Sequence, residues 1–202
     1  MRVADMWFDP SCPYSWLTSR WLLEVSRVRP VEVRWHVLSL SVLNEGRDED
    51  PEGDTEGYLW VPARVCAAVR RAHGQEALGR FYTALWTTGE GDWPGDLRTA
   101  LEAAGLPPDL AEAGLGTEYD DELRASTAEA LRIIGGDHVG TPIVAVSEEG
   151  AAPVAFFGPV ISKVPTGEDA GRLWDGTLLV ASTPGFHELK GGPPRQPEPY
   201  GT

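Results

Sequence analysis

The sequence predicts an α/β fold in which the two ends of the chain build one sheet around a helical middle. A strand–helix–strand unit stands at the front, and a β-hairpin followed by a helix stands at the back. Residues 60–135 between them are rich in Ala, Leu, Arg and Glu and show no strand pattern. Because neither end can bury its apolar faces alone, we expect the four strands to share one sheet.

The first 40 residues carry the front unit. Residues 3–8 are apolar apart from one acid and stop at an Asp-Pro pair, which is typical of a short buried strand. Ser11 is a suitable cap for a helix that starts near Cys12 and continues at helical apolar spacing to about Arg29. Residues 31–40 then begin with the alternation of a half-buried strand. Since the connections are short, we expect the two strands to be parallel.

The helical middle lies between an acidic loop and a second pair of strands. Residues 44–57 are polar and acidic, and we expect a long surface loop there. Helix breaks are predicted at Gly74, 89–91, 94–95 and 105–108, where glycine or proline interrupts the pattern. We therefore place an inserted helical domain at residues 56–135, between the two parts of the sheet domain, 1–55 and 136–190.

The back of the chain contains a hairpin and a last helix. Residues 143–146 form a β-branched run, and a turn separates them from a second apolar run at 154–157. A helix is predicted over residues 167–179, with Trp174 facing the core. Residues 191–202 are too polar and rich in proline to fold alone, so we expect a flexible tail.

Charge and cysteine content exclude several classes of protein. Lys plus Arg number 17 and Asp plus Glu 31, and the net charge of −14 disfavours nucleic acid and anionic membranes as partners. Two cysteines are too few for a disulfide framework or a four-ligand zinc site, so no metal is expected. We also find no membrane-length apolar run and no signal peptide, and expect a soluble cytoplasmic protein with reduced thiols.

Cys12 carries the strongest chemical signal. It lies at the junction of strand and helix, in the motif Ser-Cys-Pro-Tyr-Ser at 11–15. The positive end of a helix stabilises a thiolate, so we expect a nucleophile with a pKa below the ~8.5 of free cysteine; the alternative is a packing residue. Ser15 occupies the place of the second thiol in a Cys-x-x-Cys motif. It cannot form a disulfide, but it can donate a hydrogen bond to the thiolate, unless it is only a helix-start serine.

Sequence blocks spread over residues 3–190 match one known pattern. The first block is Trp-Phe-Asp-Pro-Ser-Cys-Pro-Tyr-Ser-Trp at 7–16, and the others lie at 18–21, 36–40, 43–45, 139–142, 156–160, 162–165 and 186–190. Together they resemble the mycothiol-dependent nitroreductase family, in the DsbA-like branch of the thioredoxin superfamily. The resemblance implies a thioredoxin-like fold with an inserted α-helical domain, a nucleophilic Cys12, and mycothiol or a similar low-molecular-weight thiol as co-substrate.

The resemblance also implies a binding site for that thiol. A cis Pro142 would face Cys12, and the backbone of Thr141 would hold the thiol or a peptide. Ser15 departs from the dithiol members of the family, which puts dithiol redox cycling in doubt but leaves thiol binding intact. The candidate cofactor-binding residues are Pro13, Tyr14, Asn44, Thr141 and Pro142.

Other side chains are weaker candidates. Cys66 lies on an apolar helix face and is best interpreted as a core residue; it could resolve a disulfide only within about 7 Å of Cys12, Cα to Cα. His36 falls on the polar side of its strand, where most residues are solvated, and His138 precedes the Thr141 loop and could tune the thiolate. An aromatic platform for a flat substrate, or alternatively core packing, is suggested by Trp7, Tyr14, Trp16 and Trp60.

These observations favour a thiol-dependent oxidoreductase with a single nucleophilic cysteine. Such an enzyme would use a low-molecular-weight thiol to reduce a disulfide, a nitro group or another electrophilic small molecule. One alternative is an S-transferase or isomerase similar to the kappa-class transferases, without net redox change. Another is a non-catalytic binding protein on the same scaffold. The expected partners are the small thiol and the electrophilic substrate. A homodimer is one possible oligomeric state.

Overall fold

Four strands form a single mixed sheet in the computed structural model, which describes residues 1–48, 50–89 and 94–200. The strands are β1 (Arg2–Phe8), β2 (Val31–Val37), β3 (Ile143–Ser147) and β4 (Val154–Phe157). Their order in the sheet is β2-β1-β3-β4, with β1 parallel to β2 and antiparallel to β3. The predicted sharing of one sheet by the two ends of the chain is confirmed.

Most of the other regular structure in the described chain is helical. They are α1 (Pro13–Val28), α2 (Leu40–Leu43), α3 (Trp60–Thr87), α4 (Leu97–Ala103), a 3-10 helix (Pro108–Leu115), α5 (Asp120–Ile134) and α6 (Gly167–Ala181). None of these described helices is both long and apolar enough to cross a bilayer.

Two predicted boundaries are corrected at the front unit. Cys12, and not Ser11, is the N-cap of α1, because the Cys12 sulfur accepts the N–H of Ser15. β2 stops at Val37 instead of continuing towards Leu40. The cause is Ser39, whose hydroxyl accepts the N–H of Val42 and so caps the start of the short α2.

Glycines break the helical middle where the sequence predicts it. Gly74 has a φ of 81°, which kinks α3 within its length. Gly105, with a φ of 71°, lies between α4 and the 3-10 helix. Of the break predicted at 89–91, residues 90 and 91 lie outside the described residues, as does Glu49 of the acidic loop. The other residues of 44–57 form no strand or helix, and this loop is confirmed for them.

Helices cover both faces of the sheet. On one face Trp21 of α1 packs against Trp174 of α6, and the Trp21 indole donates to the Ala170 carbonyl at 3.1 Å. The same core continues into the helical middle, where Tyr82 of α3 stacks on Phe8 of β1. The sheet therefore shares its main core with α3.

A second, smaller core lies on the other face of the sheet. Trp7 and Ile143 project from the sheet into it, and Ala130 of α5 covers them. α5 thus packs on the sheet, although it falls within residues 56–135, the range predicted for the insertion. The domain boundaries themselves stay a prediction.

Candidate active site

The turn between β1 and α1 presents the sulfur of Cys12 at the start of the helix. The Cys12 Sγ atom accepts a hydrogen bond from the backbone N–H of Ser15 at 3.4 Å. The Cys12 N–H donates to the carbonyl of Asp9 at 3.2 Å, which closes the turn. Cys12 is half-buried and its thiol is free. The sulfur is therefore held in place at the start of the helix, within a residue that is partly exposed.

The loop that precedes β3 faces this sulfur. The peptide bond between Thr141 and Pro142 is cis. The Cys12 thiol donates to the Thr141 carbonyl, with 3.8 Å between sulfur and oxygen. The carbonyl of Pro142 accepts the N–H of Gly158 at 2.9 Å, which ties the loop to the segment after β4. The cis bond and the position opposite Cys12 are the arrangement that the sequence analysis expects.

Ser15 connects the two sides of the site. Its side chain is fully buried, and its hydroxyl oxygen lies 2.9 Å from that of Thr141. The Thr141 hydroxyl also accepts the N–H of Asp9 at 3.1 Å. The position of the second thiol in a Cys-x-x-Cys motif is therefore used here to join the helix start to the cis-proline loop.

Burial decides the acidity of Cys12. Shielding from water raises the pKa of its thiol above the ordinary value, and the charge of Asp9 acts in the same direction. Hydrogen bonds from Ser15 lower this pKa but do not offset burial. The expected pKa below that of free cysteine is therefore wrong. The helix N-terminus does act on the sulfur, but loss of hydration outweighs it.

Asp9 is a buried acid beneath the site that the sequence analysis missed. One carboxylate oxygen accepts the N–H of Ser11 and the other the N–H of Leu40, both at 2.8 Å. Full burial raises the pKa of Asp9 to about 7. The sequence does contain a signal for Asp9, namely an acid between an apolar strand and the Cys12 turn. This signal is weak, because an Asp-Pro pair also occurs in ordinary turns.

The family of the chain follows from its sequence. The model of the family described as Rv2466c-like, mycothiol-dependent nitroreductase Rv2466c, matches residues 11–191. The chain belongs to this family. A relative in Mycobacterium tuberculosis, Rv2286c, is 28% identical over 199 residues, covering 94% of this chain and 82% of that protein.

Solved structures of DsbA proteins share the fold. The probable DsbA oxidoreductase SCO1869 from Streptomyces coelicolor is 17% identical, with a TM-score of 0.53 and 95% of each chain covered. DsbA from Chlamydia trachomatis is 11% identical, with a TM-score of 0.50 and coverage of 90% of this chain and 89% of that one. The chain therefore has a thioredoxin-like fold of the DsbA type. Together, family and fold support a DsbA-like thiol oxidoreductase.

Of the three remaining binding candidates, two belong to the Cys12 turn and one to the acidic loop. Pro13 and Tyr14 follow Cys12 directly in the first turn of α1, and both are half-buried. The side-chain amide of Asn44 donates to Asp50 at 2.9 Å, within the acidic loop. Among the described residues, no hydrogen bond of Asn44 reaches the Cys12 turn. The structure thus brings Pro13 and Tyr14 to the site and ties Asn44 to the loop.

Cys66 lies in the main core of this family member. It is fully buried on α3, and burial raises the pKa of its thiol well above the ordinary value. The interpretation of Cys66 as a core cysteine is confirmed, which leaves Cys12 as the accessible thiol.

The prediction for His36 needs correction, whereas core packing, the alternative given for the aromatic residues, holds for two of them. His36 is buried and not solvated, because α5 covers this face of the sheet. Its ring stacks on that of Trp7, with 4.5 Å between the ring centres, and its Nε2 atom lies 2.7 Å from a carboxylate oxygen of Asp5. Trp16 is a core residue stacked on Trp86. Of the suggested aromatic platform, Trp7 and Trp16 therefore serve packing.

Two further candidates, Trp60 and His138, are not among the hydrogen-bond partners of the Cys12 sulfur, which in the described chain are Ser15 and Thr141. Trp60 stands at the start of α3 beneath the guanidinium of Arg64, 4.9 Å from the ring centre. His138 is exposed. Within the described ranges, no group of three or more His, Cys, Asp or Glu side chains could hold a metal ion.

Proposed function

We propose that the protein is a monothiol reductase in which Cys12 exchanges with disulfides of a low-molecular-weight thiol. One observation carries the proposal: the half-buried Cys12 sulfur lies 3.8 Å from the Thr141 carbonyl, and Ser15 stands where a second thiol would be. Thiol–disulfide exchange needs one accessible sulfur, whereas dithiol cycling needs two. Mycothiol is the thiol that the name of the family suggests.

The reaction has two balanced steps. The Cys12 thiolate bonds to one sulfur of the substrate disulfide, and the other sulfur leaves as a thiolate that takes up a proton. Cys12 is released when a molecule of the free thiol attacks the resulting mixed disulfide. The sulfur that left in the first step is thereby reduced to a thiol, and the sulfur that Cys12 had held ends in a new disulfide with the attacking thiol, whose proton passes to the released Cys12 thiolate.

The residues around Cys12 suit a small thiol. Pro13 and Tyr14 border the sulfur on the helix side, while Thr141 and Pro142 border it on the loop side. The Thr141 carbonyl is an acceptor beside the reacting sulfur, and it would orient an incoming N–H or S–H group. The thiol supplies the second sulfur that this chain lacks at Ser15.

The raised pKa of Cys12 favours reduction over oxidation as the physiological direction. A thioredoxin-like protein is a strong oxidant when its reduced thiolate is stabilised, as a low pKa indicates. Burial has the opposite effect on Cys12. We therefore assign the protein a reducing role in the cytoplasm, where free thiols persist.

Ser15 argues against an S-transferase in which a serine activates the bound thiol. Its hydroxyl is fully buried and paired with Thr141. A serine that served an incoming thiol would need to present its oxygen to the cleft. Electrophiles such as nitro compounds are the other substrate class, and the experiment described next compares them with disulfides.

Mass spectrometry of the intact protein tests the proposal. After incubation with oxidised mycothiol, the wild type and Cys66→Ala should each gain one thiol, while Cys12→Ser should gain none. Free thiol should then remove the adduct. Turnover of an electrophile without an adduct on Cys12 would support a transferase instead. If neither occurs, the protein is a binding protein.

Ser15→Cys provides a second arm of this experiment. The new thiol stands three residues after Cys12 on the same helix, so it should displace the bound thiol intramolecularly, at an effective concentration of up to about 10⁵ M. The mixed disulfide should therefore not accumulate in this variant. Ser19→Cys is the matched control, because Ser19 is equally buried on α1 but lies two turns from Cys12. A stable adduct on Ser15→Cys would contradict the proposed geometry.

A further inference from the structure

The segment 195–200, called the strap below, lies along helix α1. At one end Tyr14 donates from its hydroxyl to the Arg195 carbonyl at 3.3 Å. At the other end the Tyr200 hydroxyl donates to Glu24 at 2.9 Å. Ten helical residues rise about 15 Å, and five extended residues span about 17 Å. The two contacts therefore place the strap along α1, from the turn that carries Cys12 towards the far end of the helix.

The strap is also fixed to the loop that follows β4. The Arg195 carbonyl accepts the Ser162 hydroxyl at 2.8 Å, and the Arg195 N–H returns a bond to the same hydroxyl at 3.1 Å. The Glu198 N–H donates to the Ser162 carbonyl at 2.7 Å. Thr18 of α1 in turn donates to the Pro159 carbonyl at 2.8 Å. Strap, loop and helix thus form one connected wall.

The two ends of the strap differ in burial. Glu24 is 6% exposed, and Tyr200 packs against the main core above it. Arg195, at the end near Cys12, is exposed. Its contacts are hydrogen bonds open to water, which contribute little and can exchange with solvent. The end beside Cys12 is therefore the one that can move while the far end stays anchored.

The match to the family model does not extend over the strap. The family match ends at residue 191, before the first residue of the strap. Its near end nevertheless contacts Tyr14, which stands two residues after Cys12. A segment that contacts Tyr14, so close in sequence to Cys12, is placed to adjust which molecules reach the sulfur.

We propose that the strap forms the outer wall of the cleft beside Cys12 and sets the size of the molecule that can reach Sγ. Small thiols and their disulfides pass, and disulfides carried on bulky molecules are excluded. The inference rests on the proposed function only in taking Cys12 as the reacting atom. It concerns access to the sulfur and holds for any electrophile.

Alkylation of Cys12 by reagents of two sizes tests the strap. Iodoacetamide is the small reagent, and a maleimide on a 5-kDa polyethylene glycol is the bulky one. The double variant Ser162→Ala/Tyr200→Phe removes both hydrogen bonds between the Ser162 hydroxyl and Arg195. It also removes the hydrogen bond from the Tyr200 hydroxyl to Glu24. Its rate with the bulky reagent should rise about tenfold, equivalent to about 1.4 kcal/mol, while its rate with iodoacetamide stays within about twofold. Should the double variant misfold, Ser162→Ala alone should show the same trend.

Matched controls separate the strap from general loosening. Ser182→Ala and Tyr58→Phe change exposed side chains away from the strap, since Ser182 bonds within its own helix and Tyr58 is 71% exposed. Neither should alter the ratio of the two alkylation rates. An equal ratio in the wild type and the double variant overturns the proposal.

Trypsin gives an independent readout. The bond between Arg195 and Gln196 is a tryptic site inside the strap. It should be cut several-fold faster in the double variant than in the wild type, while the Lys190–Gly191 bond outside the strap is cut equally. Equal cutting at Arg195 would count against the strap. Because neither assay needs redox turnover, a protein that forms no mixed disulfide can still show the size effect, so the two proposals fail separately.

Discussion

At Cys12, two opposing effects act on one sulfur. Its N-cap position brings the N–H of Ser15 to the sulfur and favours a thiolate. Burial favours the neutral thiol and is the larger effect. The position of this cysteine was predictable because a helix start is a local pattern. Its pKa was not, since it depends on packing by residues distant in sequence, such as Thr141.

Asp9 should make the stability of the protein fall as pH rises. Its pKa moves from 3.8 to about 7 on folding. Between these values the native state holds a proton that the unfolded chain has lost, so rising pH favours unfolding. The slope contributed by one such group approaches about 1.4 kcal/mol per pH unit. Asp9→Asn should remove this slope, as measured by urea unfolding from pH 5 to 8.

The control for Asp9 is an acid with the opposite shift. Hydrogen bonds at the start of α4 lower the pKa of Asp96, so Asp96→Asn should leave the slope between pH 5 and 8 unchanged. Asp9→Asn should also be less stable than the wild type at pH 5, because one of the two N–H groups that Asp9 accepts loses its partner. An identical slope in wild type and Asp9→Asn would mean that Asp9 stays ionised over this range.

At the scale of elements, local patterns predicted most of the strands and helices. β1, the hairpin and α6 follow from apolar periodicity and turn residues, which are properties of neighbouring positions. The end of β2 was missed because a single capping serine, Ser39, outweighed an apolar run. His36 was misplaced because alternation assumes one wet face, while α5 covers the face that carries this residue.

The contact between α3 and β2 offers a test of packing at this scale. Gly79 lies in α3, and a Cβ atom there would meet the Trp35 indole nitrogen at 2.5 Å. Gly79→Ala should therefore destabilise the protein by up to about 2 kcal/mol, because a gain in helix propensity of up to ~1 kcal/mol offsets only part of an overpacking cost of about 1–3 kcal/mol. Thermal or urea unfolding measures the change.

Gly176 is the matched control for Gly79. It lies in α6, and a Cβ atom there would have no neighbour within 4 Å. Gly176→Ala should stabilise the protein by up to about 1 kcal/mol. If both substitutions stabilise to the same extent, the Trp35 indole gives way to the added methyl group, and the contact between α3 and β2 is looser than described.

At the scale of the whole molecule, the sheet and the helical middle are joined through aromatic residues. Tyr82 of α3 stacks on Phe8 at 3.9 Å between ring centres, and Trp86 stacks on Trp16 at 5.6 Å. The Trp86 indole also donates to the Pro10 carbonyl at 3.0 Å, directly beneath the Cys12 turn. The sequence showed the apolar face of each helix but could not show which faces meet, since those contacts join residues far apart in the chain.

Because these contacts join the two regions in one core, we expect the protein to unfold in a single cooperative step. Tryptophan fluorescence and far-UV circular dichroism should give coincident urea transitions. Trp86→Phe should shift the common midpoint to lower urea without splitting it, since it removes the bond to Pro10 and part of the stack on Trp16. Two separated transitions would show instead that residues 56–135 unfold independently of the sheet. The site would then depend on the sheet domain alone, and Cys12 would keep its native rate of alkylation by iodoacetamide after the first transition.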